Sequence, residues 1–137
     1  MRRITGIIFS DLGRAASFMG LDWVQEGVQQ CLGFAPFPAT LNVRPKAPHD
    51  AQVWGAVRSE AKGILLPVEK GGFCDARLYP IEIQSSADAA GDKIKGAILL
   101  PDVTHYPSDK IEIIAPVRLK EAFGVQDGDQ LTLELVP

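Results

Sequence analysis

The sequence is short of the side chains that most catalytic and metal chemistry uses. Its 137 residues include two histidines, His49 and His105, and two cysteines, Cys31 and Cys74. Two histidines give a histidine-based hydrolase or metal cage few parts, and a lone histidine beside a tyrosine, as at His105-Tyr106, is more often a structural hydrogen-bonding residue than a catalyst. Cys31 falls in a helical pattern and Cys74 in a strand pattern, with no partner at zinc or redox spacing. Both are expected to be buried free thiols of a cytoplasmic protein. The chain has no GxxxxGKS/T loop, no GxGxxG after a strand, no GxSxG elbow and no HExxH. It also has no apolar run near the roughly 20 residues a membrane span needs. Met1-Arg2-Arg3 before ITGIIF resembles a signal peptide only superficially, because the apolar run stops at Ser10-Asp11 with no cleavage-type tail. A basic excess is missing too: fourteen Lys and Arg against seventeen Asp and Glu give a net charge of −3. That balance speaks against a nucleic-acid partner, and nothing points to a membrane.

What is present suits one globular domain spanning residues 1–137, with 46% hydrophobic and 23% charged residues. Arg3 to Phe9 is a β-branched strand followed by the turn Ser10 to Arg14, and Ala16 to Gly20 reads as a second short strand pairing with it. Helical spacing of Leu21, Val24, Val28, Cys31 and Leu32 predicts a helix with Asp22 as N-cap and Gly33 as terminator. Gly27 weakens that helix by roughly 1 kcal/mol relative to alanine. Phe34-Ala35-Pro36-Phe37-Pro38 breaks it and leads into the strand Ala39 to Val43, where Thr40 and Asn42 share one face and Leu41 and Val43 the other. Pro48-His49-Asp50 can cap a short helix through Val57. Strands then follow at Ile64 to Val68, Gly72 to Ala76, Leu78 to Gln84 and Ile94 to Leu100. Short strands with glycine and proline punctuation indicate a closed or nearly closed sheet. Pro116 is placed as the first residue of a last helix bearing Leu119, Ala122 and Phe123, with Gly124 ending it. Asp127-Gly128-Asp129 turns the chain into the final strand, Gln130 to Val136.

The stretch PDVTHYPSDKIEIIAP, Pro101 to Pro116, concentrates polar side chains between apolar strands. Pro101, Pro107 and Pro116 limit its conformations, and a polar loop held by a rigid scaffold tends to carry function. Two readings are open. In one, Thr104 and Glu112 form part of a preformed site. In the other, Thr104 starts a turn, His105 and Tyr106 pack over the barrel mouth, and Glu112 is the solvent-facing member of an alternating strand. Oxygen donors on short strands, namely Thr40, Asn42, Thr104 and Glu112, together with the Arg14 turn and a helix start at Pro116, would suit a hard cation and a phosphate.

The segments FAPFPATLNVRP, THYP, EIIAPVRLKEAFGVQDGDQLTLEL and the helix ending in LGF resemble the CTP-dependent riboflavin kinases first described in archaea. The likeness runs from about Ile4 to Leu135, with the motifs in the family's order. It implies a mainly β fold, a small six-stranded cradle-loop β-barrel with two or three short helices. It also implies CTP as phosphoryl donor, riboflavin as acceptor, FMN and CDP as products, and Mg²⁺ as cofactor. Some family members carry an N-terminal winged-helix domain, which is not expected here. By the resemblance, Thr40 and Asn42 bind magnesium and Thr104 and Glu112 contact the flavin. The nucleotide contacts fall on Val117, Arg118, Leu119 and Lys120 and on the turn Asp11, Leu12, Gly13, Arg14, Ala15, Ala16.

That turn departs from the family's GxGEG or GxGEA pattern, and Ala39 replaces the usual glycine before TLN. Each glycine lost removes a close backbone approach or a positive φ, while Arg14 adds a cation for phosphate. The competing reading is a non-catalytic flavin or nucleotide binder that kept the acceptor pocket and lost the donor loop. A DNA-binding relative ranks last because of the net charge. A monomer or weak homodimer is expected, and Glu112 is the one residue considered as a base.

Overall fold

A computed structural model describes residues 2–11, 18–66, 75–88 and 90–137. Its described residues form seven strands: β1 (Arg3–Phe9), β2 (Leu41–Pro45), β3 (Ile64–Leu66), β4 (Ala76–Ser85), β5 (Ile94–Pro101), β6 (Ile111–Ile114) and β7 (Gln130–Leu135). Three helices accompany them: α1 (Asp22–Leu32), α2 (Pro48–Glu60) and α3 (Leu119–Phe123). All pairings are antiparallel, in the order β3-β4-β5-β6-β2-β1-β7, and β7 pairs back onto β4. The second pairing of β4 closes a six-stranded barrel and leaves β3 as an extra strand on the free part of β4. The mainly β barrel expected from the strand spacing is therefore the architecture found.

Closure follows from alternation. In β1 Ile4 and Ile8 are buried, and in β7 Leu131, Leu133 and Leu135 are, each separated by less buried neighbours. These inward residues join Val43, Ile81, Ile83, Ile98, Ile111 and Ile113 in the barrel core. Each fully buried Ile or Leu contributes about 1.5–3 kcal/mol.

Helix α2 adds Trp54 and Val57 to this core. Its first turn is held by Asp50, whose carboxylate accepts from the backbone N–H of Thr5 at 2.9 Å and of Ala47 at 3.1 Å. The expected helix start at Pro48-His49-Asp50 is thus present, and the helix runs three residues past Val57.

Helix α1 covers a second core of Met19, Val24, Val28, Leu66, Leu78 and Leu99. Gly27 has a packing reason: a Cβ there would lie 2.7 Å from Leu66 Cδ1, so its absence lets α1 settle on β3. Gly33 ends the helix in the left-handed region with φ 82°, as expected, but the N-cap is Leu21, and Asp22 is the first helical residue.

Three further expectations need correction. Phe18 and Met19 are helical and Gly20 is in a turn, so no strand occupies this part of 16–20; Ala16 and Ser17 lie outside the described residues. Pro116 does not open a helix. The chain stays irregular through Arg118, the N-cap of the five-residue α3, and Gly124 ends α3 with φ 64°. Cys31 is half-buried rather than buried, and Cys74, with Pro67, Val68, Gly72 and Phe73 of the expected strands, lies outside the described residues.

Candidate functional site

Strands β2 and β6 pair directly although nearly seventy residues separate them, and their register sets Asn42 opposite Glu112. Facing pairs in a ladder share one side of the sheet, and Thr40, two residues before Asn42, belongs to the same side. The sharing of a face by Thr40 and Asn42 is the period-two expectation.

Glu112 is buried, at 6% exposure, so it is not the solvent-facing member of an alternating strand. The Tyr106 hydroxyl donates to its Oε2 at 2.6 Å, and the Thr40 hydroxyl stands 3.5 Å from its Oε1. Burial, followed by the bond to Glu112 and its negative charge, pushes the Tyr106 phenol far above its ordinary range. Tyr106 thus remains a neutral donor. Lys110 lies 5.9 Å from the centre of the Tyr106 ring and pairs with Asp11 at 2.8 Å, tying the 102–110 loop to the chain just after β1.

Beside this cluster Asn42 is 7% exposed, and its Oδ1 has no hydrogen-bond partner among the described residues. A buried carbonyl oxygen without a donor costs about 1–3 kcal/mol of lost solvation unless something satisfies it. With Thr40 Oγ1 and the Glu112 carboxylate alongside, the available donors are all oxygens, which fits a hard divalent cation. Among the described residues no three His, Cys, Asp or Glu side chains converge on a metal position. Neutral oxygens and one carboxylate would therefore be the protein's share of such a site.

A cleft of about 210 Å³ opens on this side, with Phe9, Asp11, Thr40, Asn42, Arg118 and Lys120 in its wall. Ala39 also lines it and does not take a positive φ, so alanine in that position strains no backbone. The cations are already engaged. Lys120 Nζ lies 2.9 Å from Asp127 Oδ1 and 3.3 Å from Ser10 Oγ, while Arg118 lies 3.5 Å from Glu121. Hydrogen bonds from Lys120 and Ser10 hold the Asp127 carboxyl below the usual range. Val117 is exposed in the cleft wall and Leu119 is buried. The short α3 supplies no extended helix dipole, so Arg118 and Lys120 are the positive groups of this wall.

The structure thus brings Asp11, Thr40, Asn42, Val117, Arg118, Leu119 and Lys120 to one cleft, with Glu112 behind it. Thr104 stands apart: it is exposed in a turn before His105, whose φ is 66°, and no described hydrogen bond joins it to Glu112. Leu12, Gly13, Arg14, Ala15 and Ala16 lie outside the described residues. Sequence reasoning gave Tyr106 only a packing role over the barrel mouth and gave Lys110 none; their place six and two residues before Glu112 in a proline-bounded loop was the available signal for more.

A family model described as a domain of unknown function, DUF120, and labelled CTP-dependent riboflavin kinase matches residues 8–135. The chain is 35% identical over 133 residues to a riboflavin kinase of Pyrobaculum islandicum, covering 97% of this chain and 60% of that protein. It is 31% identical to a riboflavin kinase of Archaeoglobus fulgidus, covering 98% of this chain and 54% of the other. It is 33% identical to one of Methanocella arvoryzae, covering 95% and 55%. The chain spans at most about three-fifths of the length of these relatives. No described helix is long and apolar enough to cross a membrane. With the family match covering almost every strand and helix of the barrel, the chain belongs to the CTP-dependent riboflavin kinase family.

Proposed function

We propose that the chain is a CTP-dependent riboflavin kinase, transferring the γ-phosphate of CTP to the 5′-hydroxyl of riboflavin to give FMN and CDP. The observation that carries this reading is the buried Asn42 and Glu112, with the half-buried Thr40, set beside a cation-bearing cleft. Phosphoryl transfer asks mainly for positioning and charge neutralisation. The riboflavin oxygen forms its bond to the γ-phosphorus as the bond to the β-phosphate oxygen breaks, and the hydroxyl proton is released. Glu112 accepts a hydrogen bond from that hydroxyl through Oε1, while Tyr106 holds Oε2. Arg118 and Lys120 exchange their carboxylate partners for phosphate oxygens, and Val117 with Leu119 lines the nucleotide's path.

Thr40 and Asn42 would hold Mg²⁺, which would supply positive charge to offset that of the phosphates. Thr104, exposed in the loop apart from that cluster, would meet the flavin from there. Asp11, at the start of the turn expected to contact the nucleotide, lines the same cleft.

A second reading, a flavin or nucleotide binder without turnover, is favoured by the internal pairing of Arg118 and Lys120, which leaves little free positive charge among the described residues of the cleft. The deciding experiment is FMN formation from riboflavin with Mg²⁺ and CTP, ATP, GTP or UTP. CTP-selective product supports the kinase. Flavin binding with no product from any donor supports the binder.

A further inference from the structure

The cleft wall carries an aspartate on the side where a polyphosphate is to lie. Asp11 lines the cleft together with Arg118 and Lys120. Those two cations bring no surplus of positive charge, because Arg118 stands against Glu121 at 3.5 Å and Lys120 against Asp127 at 2.9 Å. Each pair is neutral, so among the described residues of this wall and their partners the Asp11 carboxylate would leave one negative charge in excess. Lys110 removes that excess. Its Nζ lies 2.8 Å from Asp11 Oδ2, with the two side chains 23% and 34% exposed, and it reaches Asp11 from the loop before β6 without lining the cleft itself.

The Lys110 ammonium is held from its other side as well. It lies 5.9 Å from the centre of the Tyr106 ring, within reach of a cation–π contact, and the Tyr106 hydroxyl is bonded to Glu112. Tyr106 also lines a second cavity, between α2 and the β4–β5 ladder, with Arg58 and Arg77. The backbone of Lys110 runs straight into Ile111, which pairs with Val43 of β2, so the barrel sets where this side chain starts. Next to Asp11, the Ser10 hydroxyl donates to Asp127 Oδ1 at 3.0 Å. The chain leaving β1 is thus fastened at two successive residues, Ser10 to the turn before β7 and Asp11 to the loop before β6.

We propose that Lys110 is a positioning residue of the donor site. Acting through Asp11, it offsets that carboxylate's charge and keeps one of its oxygens committed, so that a nucleoside triphosphate can enter a wall that the aspartate would otherwise oppose. This rests on the cleft taking a nucleoside triphosphate, as proposed above.

The test is the affinity of the whole protein for CTP with Mg²⁺, measured by calorimetry without riboflavin so that the donor site alone is read. Lys110→Met keeps the alkyl stem and removes the charge. It should weaken CTP about fivefold in ~50 mM KCl and less than about twofold in ~500 mM, as expected of one unit charge acting across a water-exposed cleft. Lys110→Arg, which keeps the charge, should stay within about twofold of the unaltered protein. Adding Asp11→Asn to Lys110→Met should restore most of the lost affinity, and Asp11→Asn alone should tighten CTP. Unchanged CTP affinity in Lys110→Met, or a loss that Asp11→Asn does not repair, would overturn the assignment and leave the kinase reading standing. Weaker CTP binding by Asp11→Asn alone would overturn it too, and that single variant carries the test if Lys110→Met does not fold. Failure of the unaltered protein to bind any nucleoside triphosphate would sink the donor reading itself, and this proposal with it.

Discussion

Replacing Tyr106 with phenylalanine tests how the loop holds Glu112. The substitution removes one hydroxyl and keeps the ring that faces Lys110. It deletes the 2.6 Å donor to Oε2 of a carboxylate that is 6% exposed. The other contact to Glu112, from Thr40 at 3.5 Å, is too long to compensate. A hydrogen bond to a charged group contributes about 1.5–3 kcal/mol, so urea unfolding at pH 7 should show Tyr106→Phe less stable by about 2 kcal/mol.

The pH dependence supplies an independent check. Tyr106 has a folded-state pKa above the ordinary value of 10.0. The folded protein therefore keeps a proton that the unfolded chain releases, and this contribution is complete below pH 10 and lost as pH rises above it. Over that range the retained proton is worth up to about 1.4 kcal/mol per pH unit, and Tyr106→Phe should flatten the alkaline limb accordingly. A loss below about 0.5 kcal/mol at pH 7, together with an unchanged alkaline slope, would mean that water serves Oε2 equally well and that Tyr106 does not set the carboxylate's position.

Gly6 in β1 faces Val43 in β2 so closely that a Cβ would lie 2.6 Å from Cγ2 and 2.8 Å from Cβ of a branched, buried side chain. Gly6→Ala should cost about 1–3 kcal/mol in denaturant unfolding; a neutral outcome would show that the β1–β2 seam is slack. Asn42→Ala removes an Oδ1 with no protein partner, so stability without metal should change by less than about 1 kcal/mol, while FMN formation falls roughly a hundredfold. Turnover like that of the unaltered protein would remove Asn42 from the metal site. In an NMR titration Asp127 should ionise below the ordinary 3.8, and Lys120→Ala or high salt should move it back up. The pair's contribution is thus present at neutral pH and disappears as pH falls through the folded-state value. Identical titrations with and without Lys120 would contradict the pairing.

Much of this barrel is readable from periodicity, because alternation and terminators are local. Ile4, Ile8, Leu131 and Leu133 declare their faces by spacing two, and Gly33 and Gly124 end helices by taking positive φ. What spacing does not contain is what lies over a face. Glu112 belongs to an alternating strand, yet the loop before it folds back and Tyr106 covers it, so a polar position on the outer side of a strand becomes buried. Pro116 misleads for a similar reason. Proline suits the first helical position, but the chain here still runs irregularly along the cleft and turns helical only after Arg118. Arg58 and Arg77 belong to a helix and a strand with no shared motif, so only the closed fold reveals that they face one cavity.

The location of the chemistry follows from the order of pairing. The β2–β6 ladder joins the first third of the chain to the last third, and it is there that Asn42 meets Glu112. A slip of one residue in either strand would send its polar residue toward the apolar interior, where Ile111 and Ile113 now sit fully buried. The apolar pattern that fixes the barrel's register therefore also fixes the spacing of the oxygen donors, which explains how they are held although the described residues contain no disulfide and no cluster of His, Cys, Asp or Glu that would form a metal cage. Ala39 and the internally paired Lys120 belong to the edge of this arrangement rather than to its register. Substitutions at the cleft rim can therefore alter the cleft wall while Thr40, Asn42 and Glu112 stay where the barrel sets them.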